Sequence, residues 1–141
     1  MTRLVASAVA GTVLALAALA APASAADGWQ RASVTSDSPS RDARCSDVSF
    51  VGEGCFEGYG EWFWLRDTNA DDEPVVIHWT HRTFNGTLRE GYIYANQGKA
   101  AGWTKINKSF EEGLFIYFEV CNADLARHTT SWCGGLEWAA T

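Results

Sequence analysis

Cys45, Cys55, Cys121 and Cys133 set the first boundary on this chain's architecture. In a small exported domain four cysteines read as two disulfides, and three pairings are open to them. Cys45–Cys55 with Cys121–Cys133 is favoured, because each pair closes a short segment holding turn formers, Gly52 and Gly54 in one and Asn122 and Asp124 in the other. In the chain-entropy view, loops of this size restrict the unfolded chain by roughly 3 kcal/mol each. Zinc is the rival reading, but the gaps between these cysteines are far wider than the short spacing of zinc knuckles.

The oxidising context is read from the N-terminus. Arg3 precedes an apolar run from Leu4 to Ala21, and Ala23-Ser24-Ala25 supplies the small-x-small pattern of a signal peptidase site. Residues 1–25 are therefore expected to be a signal peptide, cleaved after Ala25, with no membrane insertion afterwards and a secreted, extracellular product. Residues 26–44 are polar and Ser-rich and read as a flexible leader. Residues 45–141 are expected to form one β-domain. Loss of Arg3 takes the formal net charge of −6 one unit lower. That balance disfavours nucleic acid and anionic membrane surfaces, which need clustered Lys and Arg.

Beyond Cys45, short β-branched and aromatic runs alternate with Gly, Asn and Asp clusters. Strands are expected at 46–51, 55–59, 61–66, 74–84, 87–96, 103–106, 113–121 and 135–139. Leu114, Ile116, Phe118 and Val120 alternate with Phe115, Tyr117, Glu119 and Cys121, so one face of that strand is wholly apolar. About eight short strands predict an all-β fold, a small β-sandwich or alternatively a small barrel. Asn85-Gly86 is the favoured pair for a two-residue type I′ hairpin. That turn would set Arg82 against Arg89, His81 against Glu90, Trp79 against Tyr92 and Ile77 against Tyr94. Ile77, Trp79, Tyr92 and Tyr94 would then share the core face.

Candidate chemistry is sparse. His78 and His81 fall on opposite strand faces and cannot share a metal. Arg82 opposite Arg89 is an uncomfortable like-charge pair that a bound anion or a partner carboxylate would relieve. Trp62 and Trp64 share one strand face and form a candidate platform for a sugar ring or a protein partner. Asp67, Asn69 and Asp71 begin like a calcium loop, but Asp72 stands where an EF-hand needs Gly, and His78 where it needs Glu. They are kept as a loose calcium candidate, and a solvated acidic turn is the default. No nucleophile elbow is present, and paired cysteines leave no free thiol. Glu57, Glu61 and Glu119 supply carboxylates without a spacing that demands a hydrolase.

Gly60-Glu61-Trp62-Phe63-Trp64-Leu65-Arg66-Asp67-Thr68-Asn69-Ala70-Asp71-Asp72 resembles a pattern of small secreted β-proteins of filamentous soil bacteria. In that family of unknown function an aromatic strand leads into Asp-Thr-x-Ala-Asp-Gly. Phe118-Glu119-Val120-Cys121 and Cys133-Gly134-Gly135 are similar to its ending. The resemblance implies export and a disulfide-stapled β-domain, and it implies no activity. The expected role is a secreted, non-enzymatic binding protein without a cofactor, its ligand a protein such as an extracellular hydrolase, or a carbohydrate. The alternatives are a small carboxylate-dependent hydrolase and a structural, envelope-associated protein.

Overall fold

The computed structural model describes residues 26–141, and the expected signal segment at 1–25 lies outside them. Eleven strands follow in chain order: β1 (Ala26–Arg31), β2 (Ser33–Val34), β3 (Arg44–Val48), β4 (Gly52–Glu57), β5 (Trp62–Asp67), β6 (Val75–Arg82), β7 (Leu88–Ala95), β8 (Thr104–Asn107), β9 (Phe115–Asp124), β10 (Thr129–Ser131) and β11 (Glu137–Ala140). They form two sheets, one ordered β1–β7–β6–β9–β10 with β11 also paired to β9, the other ordered β2–β8–β5–β4–β3. The all-β expectation holds, and each expected strand has its counterpart. Among the described residues no helix is long and apolar enough to cross a membrane.

Period-two alternation sets the core. Ile116, Phe118 and Val120 of β9 are fully buried, while Phe115 and Tyr117 between them are exposed. The inward residues meet Ile77 and Trp79 of β6 and, from the second sheet, Phe56, Phe63 and Leu65. Full burial of each such side chain contributes about 1.5–3 kcal/mol. Both expected disulfides are present: Cys45 and Cys55 lie directly opposite each other on β3 and β4. Cys121–Cys133 ties β9 to the segment leading into β11.

Residues 26–34 are not a flexible leader. β1 runs parallel to β7, and the chain passes through buried Ala32 to the second sheet, where β2 pairs β8. Trp29 supplies the reason, for its indole stacks on Tyr92 at 4.5 Å and on His128 at 5.1 Å. Such aromatic pairs contribute beyond the area they bury.

The β6–β7 register also differs from the type I′ expectation. Gly86 N–H donates to Thr83 O, Thr83 N–H to Thr87 O, and Gly86 alone of the Asn-Gly pair has positive φ, +87°. This is a type I turn closed by a left-handed glycine, a three-residue loop. The extra residue slips the register by one and reverses the faces of β7. His81 therefore faces Arg89, Trp79 faces Gly91, and Ile77 faces Ile93. Ile93 enters the core, while Tyr92 and Tyr94 turn outward to receive Trp29.

Candidate functional site

The register disposes of the arginine pair. Arg82 faces Leu88 and donates to Gly86 O at 2.8 Å. Arg89 lies on the inner face, donating to Ser109 O at 2.7 Å and to Asp27 at 2.8 Å, with its guanidinium 4.9 Å from the Phe110 ring. No anion clamp forms between them. The expected His81–Glu90 pair is also replaced: His81 is fully buried against Phe110, and Glu90 meets His78 instead at 2.7 Å. Trp62 and Trp64 do share the outer face of β5, but Lys105 Nζ sits 4.8 Å and 5.0 Å from their rings. Trp64 also donates its indole N–H to Glu57 at 3.0 Å. The platform is occupied by the protein's own side chains. Glu61 is turned toward Phe110, whose N–H it accepts at 3.0 Å, and Glu119 stands on the outer face of the other sheet at His78. The three expected carboxylates therefore do not converge.

Asp67, Asn69 and Asp71 form successive turns of a capped loop. Asp67 Oδ1 accepts the Asn69 N–H at 2.8 Å, and Asp71 Oδ1 accepts the Glu73 N–H at 3.0 Å. Asn69 points its amide nitrogen, not its oxygen, inward at Phe50 O and Asp71. Among the described residues, three potential metal-binding groups come together only around the two disulfides. Asp72 has φ +60°, the left-handed conformation that glycine supplies more cheaply.

That loop forms one wall of a cleft of about 380 Å³ at an end of the sandwich, lined by Ser49, Phe50, Val51, Asn69, Asp71, Glu73, Asn122 and Trp132. Phe50 comes from the β3–β4 turn and Trp132 from the link after β10; they are 82% and 79% exposed. Both hold left-handed backbone, at φ 65° and 53°. For bulky residues this conformation is rare and costs about 1–2 kcal/mol each. Asn122, 6% exposed, sits at the base with its Nδ2 on Glu73 and its Oδ1 without a donor among the described residues. The lining holds two carboxylates and no cationic side chain.

Beside the cleft, burial pushes the Asp67 carboxyl above the usual carboxylate range, and the charges of Asp71 and Asp72 push the same way. The Asn69 N–H and the Lys99 charge oppose them. A raised folded-state pKa means the folded protein holds this proton more firmly than the unfolded chain. Its stabilising effect is present in acid and is lost as pH rises through the folded value. Asp67→Asn is accordingly expected to raise the urea midpoint at pH 7 and to leave it unchanged near pH 3. An equal shift at both pH values rules this out.

Neither rim residue stood out in the sequence. Phe50 lay inside an expected strand, where an aromatic is unremarkable. Trp132 offered one sign, as a tryptophan outside every expected strand and next to a cysteine. Comparison with protein-family models, curated proteins and solved structures gives no match.

Proposed function

We propose that the chain is an exported, non-enzymatic binding protein that grips a protein partner, such as an extracellular hydrolase, at the Phe50–Trp132 cleft. The observation that carries this reading is the pair of exposed aromatics held in left-handed backbone on either side of a polar base. Strain of this kind collects at functional sites, where stability is not what fixes the residue. Large exposed aromatics near a concavity are also the usual energetic centres of protein interfaces. The two disulfides suit an oxidising compartment, and the N-terminal pattern supplies the export route.

A hydrolase is less well supported. Asp71 and Glu73 lie on one wall, two residues apart in the same loop, and both accept amide donors. Paired catalytic carboxylates face each other across the bond they cleave. A carbohydrate remains the second ligand reading, because exposed rings and amide oxygens also serve sugars.

The test is a pull-down of secreted proteins and insoluble polysaccharides by wild type, Phe50→Gly and Trp132→Gly. Each variant is expected to lose at least tenfold in partner retention. Neither should lose folding stability, because relief of about 1 kcal/mol of left-handed strain offsets the 0.5–1 kcal/mol entropic penalty, roughly, of glycine. Full retention by both variants with unchanged thermal midpoints removes the cleft from binding.

A further inference from the structure

We infer that the group this cleft accepts is an arginine side chain presented by the partner protein. The inference rests on the cleft being the binding site proposed above and specifies its chemistry.

The base of the cleft is rich in acceptors and poor in donors. Asn69 directs its amide N–H₂ at Phe50 O, 3.1 Å away, and at Asp71. Asn122 directs its own at Glu73. Reversing the Asn122 amide would set an oxygen against a carboxylate, so the orientation with Oδ1 free is the one that chemistry selects. What the two asparagines leave without a donor are oxygens, and that of Asn122 is buried with no partner among the described residues. Beside them stand Asp71 and Glu73, with Asp67 and Asp72 elsewhere on the same loop, and no Lys or Arg lines the cleft. A ligand with acceptors of its own would find few side-chain partners here. A group that only donates, and carries positive charge, fits.

The walls select among such groups. Phe50 and Trp132 leave most of their ring surface uncovered. A planar guanidinium stacks on such faces and has five N–H donors and no acceptor. An ammonium matches the charge but not the plane. A bare calcium ion would use the oxygens and ignore both rings. Two aromatics this exposed beside one cleft are typical of protein interfaces, which favours an arginine carried on a protein surface over a free small cation.

Titration of the ¹⁵N-labelled protein with Nα-acetylarginine methylamide tests this, with the citrulline analogue as the neutral counterpart of the same shape. Cellohexaose and calcium chloride are run alongside. The expected result is saturable movement of the Trp132 indole N–H and the Asn122 side-chain amide signals, with at least tenfold tighter binding of the arginine compound. Glu73→Gln keeps an oxygen for Asn122 and should weaken arginine binding by about tenfold while the remaining spectrum is unchanged. Equal affinity for both compounds, or movement confined to residues outside the cleft, overturns the inference. Movement of the cleft signals by cellohexaose or calcium alone also overturns it, yet leaves the cleft a binding site. Silence toward every probe, with no protein retained in the pull-down, defeats both readings.

Discussion

Gly54→Val is expected to leave the domain unfolded, or less stable by more than about 3 kcal/mol, beyond the usual range for overpacked cores. Gly54 lies mid-strand in β4, facing the opposite sheet. A Cβ there would come 2.6 Å from Val120 Cγ2 and 2.8 Å from Ile77 Cγ1, closer than real contacts allow. Val120 and Ile77 are both fully buried. Each belongs to a strand hydrogen-bonded along its length, since β6 pairs both β7 and β9. Neither side chain can retreat without moving a ladder, and valine adds two methyls beyond the Cβ. Gly135, with nothing within 4 Å of its would-be Cβ, is the control. Gly135→Ala should stay within about 0.5 kcal/mol of wild type. Urea unfolding with a constant m-value reads both, and a Gly54→Val protein as stable as wild type would show that the two sheets do not approach here as described.

Gly54 also shows where sequence reasoning stops. In the sequence it reads as a turn former inside a short cysteine loop; the disulfide is present, but Gly54 lies within β4 and not in the turn. What it does in the strand depends on Ile77 and Val120, far away along the chain. The face of β9 was legible because period-two alternation is a local property that burial preserves. The faces of β7 were not, because a single extra residue in the Thr83–Thr87 turn reverses them, and Asn-Gly suits both turn geometries. Residues 26–34 looked disordered because their ordering partners, Tyr92 and Tyr94 for β1 and Thr104 and Lys105 for β2, lie on distant strands. The cleft was the least legible feature. Its lining comes from four separated segments, and the exposure of Phe50 and Trp132 follows from backbone angles that no local pattern of apolar residues encodes.

The two disulfides should prove unequal in function though similar in stability. Phe50 lies in the loop closed by Cys45–Cys55, and Trp132 in the loop closed by Cys121–Cys133. Replacing either pair with alanine is expected to cost roughly 3 kcal/mol through the unfolded chain. Each pair has one fully buried member, Cys55 and Cys121, so each double variant also loses a buried sulfur. Their effects on binding differ for a structural reason. Phe50 tops a hairpin whose strands pair from Arg44–Phe56 to Val48–Gly52, and Val51 N–H donates to Val48 O at 3.0 Å, so the turn persists without its cross-link. Trp132 follows a three-residue strand and is held beyond it by one Gly134 N–H···O contact to Val120 and by the disulfide itself. Without Cys121–Cys133 the indole is free to leave the rim, while Asn122 stays on β9. Cys45→Ala with Cys55→Ala should therefore keep partner retention within about threefold of wild type, since it leaves both walls in place. Cys121→Ala with Cys133→Ala should lose at least tenfold under conditions where both proteins remain folded by circular dichroism. Equal retention by the two double variants would mean that the placement of Trp132 does not govern binding, and the cleft would then lose one of its two walls.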